Sequence, residues 1–375
     1  MISVACPLLG YEEEVAVQRV LASGQLVQGE KVAAFEQRFA EVCQVREAVA
    51  LSSGTAALYL ALLAHNIGPG DEVITTAFTF AATVNAILLV GATPVFVDIE
   101  PDTYTMDAAL VEGVITPRTK ALMPVHLYGH PCDMTRLVPI AATHGLAIIE
   151  DACQAHAASI DGKPVGSFGT GCFSFYATKN ITTGEGGMVT TDDPVIAERV
   201  RLLRHHGQKE RYCHVTLGHN LRMTEMQAAL GLVQLEKLER FTRQRIANAA
   251  FLTERLRASL QTPIVRPGYR HVYHQYTIRV PEQRDEWMLK LRDRGIATAV
   301  HYPRAVHQQP FYREYAGKIA FSKAPATANG GQATIDVSLP VTELAVKQVL
   351  SLPVHPGLSE ADLATIVQEV GVLCA

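Results

Sequence analysis

The chain has 375 residues, 48% of them apolar and 19% charged, with a formal net charge of −4. That length suits two domains, or one large domain with a smaller companion. The near-neutral balance leaves no electrostatic footprint for nucleic acid or an anionic membrane. The start, MISVACPLLGYEEE, lacks a basic stretch followed by an apolar core, and the longest apolar runs, such as Ala81–Val90, are too short to span a bilayer. A cytoplasmic location is expected. Seven scattered cysteines without a CxxC pair predict neither a disulfide framework nor a zinc site, so no metal is expected. Cys153 and Cys172, in or beside apolar stretches, read as buried small hydrophobes.

In chain order, the strand-like EAVAL runs into Ser52-Ser53-Gly54-Thr55-Ala56, which opens the helical TAALYLALLAHNIG. Pro69-Gly70-Asp71 then turns the chain into a strand, EVITTAF. PVFVDI, ALMPVHLYG, LAIIEDA, CFSFYAT and GGMVTT read as further short strands with helical or turn-rich connectors. Such alternation predicts an α/β fold with a largely parallel, doubly wound sheet. From Thr224 to Leu260 there is no proline and one glycine, Gly231, which predicts one long helix or two in succession. HQYTIRV, EWMLKLRDRG and IATAVHY then read as strand, helix and strand of a smaller α/β domain, and Ala324–Gly331 as a loose loop.

Three places invite chemistry. Gly54 at a helix start lets backbone N–H groups approach an anion, and the helix dipole favours negative charge there; a plain helix cap by Ser-Gly-Thr is the alternative. Asp151 follows the apolar run LAII, at the carboxyl end of a strand, where α/β folds place ligands. Its neighbour Glu150 points to the other face, so one of the two carboxylates lies near the core and needs a cation or several donors. A helix N-cap by Asp151 is the competing reading. Lys179 sits between a hydrophobic strand and a glycine-rich loop, where partial desolvation favours the neutral, nucleophilic amine. Lys163, in the turn-like IDGKPVG, reads as surface. A lysine amine, an anion for a ring nitrogen and a phosphate cradle are what a pyridoxal-phosphate site requires.

SSGTAAL, EDACQAHAA and FSFYATKNITTGEGGMVTT, in that order, resemble signatures of the DegT/DnrJ/EryC1/StrS family of sugar aminotransferases. The likeness extends from LASGQLVQGEKVAAFEQRFA through PVFVDIEPDTYTMD, PVHLYGHPCDM and GHNLRMTEMQAALG to VHYPRAVHQQP and LSLPVHPGLS. It implies the fold type I architecture: a large domain, residues 1–235, with a mostly parallel seven-stranded sheet, and a smaller C-terminal α/β domain, residues 236–375. The implied cofactor is pyridoxal 5′-phosphate, with pyridoxamine phosphate as its amino-carrying form.

Lys179 matches the family's Schiff-base lysine and proton shuttle, and Asp151 the partner of the pyridine nitrogen. Gln154 matches the residue near the ring's 3-oxygen, Phe80 the aromatic cover of the ring, and Gly54, Thr55, Ala56 and Ser174 the phosphate site. Asn220 matches a side chain that reaches the phosphate of the neighbouring subunit, which implies a homodimer. The resemblance further implies L-glutamate as amino donor and a keto-sugar nucleotide as acceptor, with TTGEGG leaning toward 4-keto sugars. Tyr176 departs from the histidine of many relatives; with His301, Tyr302, Arg304 and His307 it is expected to face the sugar nucleotide. A pyridoxamine-dependent sugar dehydratase of the same fold would carry histidine at Lys179. A cofactor-binding regulator would be expected to lack the lysine or to add a DNA-binding region.

Overall fold

The computed structural model describes residues 1–315 and 338–374, so the expected loop Ala324–Gly331 lies outside the described residues. Seven strands make the main sheet: β1 Glu47–Leu51, β2 Glu72–Thr76, β3 Thr93–Val97, β4 Thr119–Leu122, β5 Ala147–Asp151, β6 Thr170–Ser174 and β7 Gly187–Thr191. Their spatial order is β1-β7-β6-β5-β4-β2-β3. Only β7 is antiparallel to its neighbours. The strands are short, apolar and buried almost throughout because helices cover both faces.

Alternate residues of one strand serve different layers. Val49 and Leu51 join the core under helices α3 (Gly54–Ala64), α4 (Ala81–Leu89) and α6 (Pro194–Arg204). Ala48 and Ala50 face the helix α2 (Glu30–Cys43) and the start of α7 (Glu225–Leu256), through Phe35, Phe39 and Ala228. Helix α1 (Tyr11–Ser23) packs on α7, and α5 (Met134–His144) covers Ile74, Leu122 and Ile148.

The long segment after Asn220 is a single helix of 32 residues, about 48 Å from end to end. Thr224 and Gln227 form a capping box at its start. Its first residue, Glu225, is buried and accepts the backbone N–H groups of Gly29, Lys31 and Val32, so one side chain holds the start of α2 onto α7. The last turns of α7 enter a second core with β8 (Tyr276–Arg279), helix α8 (Arg284–Asp293), β9 (Val349–Leu352) and the C-terminal helix Glu360–Cys374.

Two strand expectations are corrected. Among the described residues IATAVHY makes only two isolated bridges, Ile296 to Ile2 and Ala299 to Ser351. ALMPVHLYG is a strand only to Leu122: Pro124 has no N–H to give to a ladder, and a 3₁₀ turn follows at Leu127–Gly129. Lys163 is exposed, its ammonium 4.6 Å from the centre of the Phe168 ring. Among the described residues no helix is long and apolar enough to cross a membrane.

Candidate active site

Because every strand but β7 runs the same way, β1, β2, β4, β5 and β6 deliver the residues that follow them to one edge of the sheet. A cavity of about 680 Å³ opens there, where doubly wound folds form ligand crevices. Gly54, Thr55, Phe80, Asp151, Gln154, Ser174, Tyr176, Lys179, His301 and Tyr302 all line it.

The chain leaves β1 and enters α3 at the cavity floor. Ser53 caps the helix, its Oγ accepting from the Ala56 N–H at 3.1 Å. Ala56, expected at the phosphate, therefore has its N–H engaged, whereas those of Gly54 and Thr55 belong to the unpaired first turn. A Cβ on Gly54 would lie 2.7 Å from Ser174 Cβ and 3.0 Å from Cys153 Sγ. Glycine is required here so that the helix start can lie against the end of β6.

Asp151 is the last residue of β5, the central strand, and is buried. Its Oδ2 accepts from Thr83 Oγ1 at 2.7 Å, Thr83 in turn accepting from Thr79 at 2.8 Å. Its Oδ1 accepts from the Cys153 N–H at 3.2 Å. Glu150, facing the other way, is also buried, so both carboxylates lie inside. Backbone N–H groups of Gly166, Phe168 and Gly169 reach Glu150 at 2.8, 2.8 and 3.1 Å, and His126 Nε2 lies at 3.1 Å. Abundant donors are what make two adjacent buried carboxylates tolerable.

Lys179 follows β6 through a turn closed by its own N–H on the Tyr176 carbonyl. Burial lowers the pKa of its amine, opposed by Cys153 and Asp151. Two histidines share the cavity wall: burial, with Lys179 nearby, holds His301 down to about 4 and His274 well below its ordinary range. Both are neutral donors or acceptors at neutral pH. Cys153 lines the cavity as well, and so is not the simple core residue the sequence implied; Cys172 is fully buried.

Phe80 stands at the mouth, 58% exposed, its ring 5.8 Å from that of Tyr302. Tyr176, half-exposed, also lines the wall. Three expected residues lie elsewhere. Asn220 is exposed, bridged to His205, and accepts from Arg222. His307 packs toward Phe96, and Arg304 is exposed. Thr79, Thr83, His274 and Gln275 are wall residues that sequence reading missed. Thr83 alone left a signal, three residues after Phe80 at the start of a helix.

The donor set suits a phosphorylated pyridine. A cradle that a single Cβ would fill meets the helix start for the phosphate, and an oriented buried carboxylate stands ready for a ring cation. A lysine with a lowered pKa is available for the carbonyl carbon.

Comparison with known proteins identifies the family. Three curated relatives are each 42% identical to this chain: a "pleiotropic regulatory protein" of Geobacillus stearothermophilus (94% of this chain, 92% of the relative), a dTDP-3-amino-3,4,6-trideoxy-α-D-glucose transaminase of Streptomyces venezuelae (96% and 91%) and a UDP-N-acetyl-3-dehydro-α-D-glucosamine 3-aminotransferase of Acidithiobacillus ferrooxidans (93% and 90%). The crystal structure of S. venezuelae DesV in complex with a ketimine intermediate superposes with a TM-score of 0.89 at 41% identity, covering 97% of this chain and 94% of that one. Pyridoxal phosphate is the family's cofactor. With the family model matching residues 7–371, the chain belongs to the DegT/DnrJ/EryC1/StrS aminotransferase family.

Proposed function

We propose that this aminotransferase transfers the amino group of L-glutamate to a keto sugar carried on a nucleotide. The observation that carries the reading is the convergence of Lys179, Asp151 and the Gly54 turn on one cavity, with Phe80 at its mouth. Bound there, pyridoxal phosphate supplies the electron-withdrawing ring that accepts an amine from one substrate and yields it to the next.

In this reading each residue has a definable task. The Gly54 and Thr55 N–H groups and the Ser174 hydroxyl hold the phosphate. Asp151, oriented by Thr83 and by the Cys153 N–H, pairs with the protonated ring nitrogen. Lys179 Nζ anchors the cofactor; once displaced, it takes the proton from the donor's α-carbon, and in the second half-reaction it returns a proton to the sugar carbon. Its lowered pKa supports the role, because only the neutral amine can accept.

Two relatives at 42% identity are named for 3-amino reactions, and this supports carbon 3 as the position aminated. Carbon 4, toward which TTGEGG leans, is the second reading. We also read residues 1–235 as the cofactor-holding domain and 236–375 as the smaller one, with α7 running through the join. Exposed Asn220 fits a role in the neighbouring site of a homodimer.

The test is a panel of 3-keto and 4-keto hexoses on dTDP, UDP and GDP, with glutamate as donor. One sugar should give an aminated product, and glutamate alone should bleach the visible band of the holoenzyme. A protein that bleaches with glutamate but aminates no sugar nucleotide would refute the acceptor, and one that stays colourless with added cofactor would refute the whole reading.

A further inference from the structure

Gln154 stands in the cavity wall with both ends of its amide engaged. Its Oε1 lies 2.8 Å from the Tyr128 backbone N–H. A backbone N–H can only donate, so the amide oxygen must face it, and the orientation of the group follows. Nε2 therefore points at the Tyr302 hydroxyl, 3.1 Å away, and donates to it. An oxygen that accepts this bond keeps its own hydrogen for another partner, and among the described residues no acceptor takes that hydrogen.

The hydroxyl is also held in place. The Tyr128 side chain donates to the carbonyl of His301, the residue before Tyr302. The His301 ring lies 3.2 Å from Ser351 Oγ through Nδ1. Burial, with Asp151 close by, pushes the Tyr302 phenol far up, so it remains a donor at any working pH. Phe80, proposed to cover the cofactor ring, lies against the Tyr302 ring.

We propose that the Tyr302 hydroxyl is a second hydrogen-bond donor to the 3-oxygen of the cofactor ring, beside the Gln154 amide, rather than a contact to the sugar. The inference rests on the reading that places the cofactor in this cavity with its 3-oxygen near Gln154. Two donors stabilise that oxygen as an anion and weaken its hold on the proton of the neighbouring nitrogen, the one Lys179 contributes. They therefore lower the pH at which that nitrogen gives up its proton.

The test is a pH titration of the visible band of the holoenzyme, without substrates, in wild type and Tyr302→Phe. Loss of one hydrogen bond to a charged oxygen should raise the midpoint by about one pH unit. A second comparison covers a Tyr302→Phe protein that fails to fold: affinity for pyridoxal phosphate against its 3-deoxy analogue, in wild type and Gln154→Leu. Preference for the natural cofactor should persist in Gln154→Leu, since Tyr302 still reads the oxygen. An unchanged midpoint in a cofactor-loaded Tyr302→Phe, or no preference left in Gln154→Leu, overturns the proposal. A wild type with no visible band fails the cofactor reading instead.

Discussion

Gly54→Ala isolates the phosphate cradle with a single methyl group. Nothing in the backbone forbids alanine there, since Gly54 is not among the residues with a left-handed φ. The objection is spatial: the new Cβ would stand 2.7 Å from Ser174 Cβ and 3.0 Å from Cys153 Sγ. Carbon atoms settle about 3.5–4.0 Å apart, so the start of α3 and the end of β6 must separate by roughly 1 Å. Overpacking of that kind costs about 1–3 kcal/mol of stability, partly offset by alanine's better helix propensity.

The cofactor should suffer more. A shift of ~1 Å takes an N–H···O contact from about 2.9 Å to beyond bonding distance. One or two charge-assisted bonds lost, at about 1.5–3 kcal/mol each, weaken binding by roughly 10- to 20,000-fold. Cofactor titration by absorbance measures the affinity, and thermal unfolding of the apo protein measures the stability separately. A Gly54→Ala protein that binds the cofactor within threefold of wild type would refute the assignment of this turn to the phosphate.

Buried histidines set an acid limit. His130 and His156 are held down to about 4 and about 3 by burial, whereas an unfolded histidine titrates near 6.5. Below about pH 6.5 the unfolded chain binds protons that the folded one does not, so stability is complete above that point and falls as pH drops toward 4, by about 1.4 kcal/mol per pH unit for each such histidine. Urea unfolding at pH 7, 6 and 5 should show the decline, with a shallower slope in His156→Leu; a flat profile would contradict it. The shared site of the proposed homodimer is tested by complementation. Lys179→Ala and Asn220→Ala, each impaired alone at limiting cofactor, should recover about a quarter of wild-type activity when mixed and allowed to exchange subunits, because half the dimers then hold one intact site; no recovery would count against Asn220 in a neighbouring site.

What could be read from the sequence was local. Asp151 after LAII, and Gly54 between EAVAL and a helix, each carry their position in the next few residues, because a strand end or helix start is specified over a turn of chain. The large-domain strands were legible for the same reason: short apolar runs punctuated by turns. Residues placed by packing between distant segments left no such trace. His274 and Gln275 reach the wall because the Val272 and Gln275 N–H groups bond to the Gly129 and Tyr128 carbonyls. Gly129, at φ +93°, allows that approach, as a Cβ there would meet Val272 Cγ2 at 2.8 Å. IATAVHY had the composition of a strand, but among the described residues only Ile2 and Ser351 offered it bridging partners. Composition did not disclose that pairing would stop there.

The charge of the cavity explains why one methyl group at Gly54 should matter so much. Among the described residues lining it, Lys179 is the one cationic side chain, and Asp151 and Glu185 are both acidic. His274 and His301, pushed down by burial, add no positive charge at neutral pH. In the proposed reading a phosphate bound in this cavity would therefore be met by neutral donors: the first-turn N–H groups of α3 and hydroxyls such as that of Ser174. A long-range attraction to a cation weakens gently with distance, but hydrogen bonds from fixed N–H groups fail within about 1 Å. The close approach of α3 to β6, which a Cβ would prevent, is thus the feature on which the proposed anion binding in this half of the site depends.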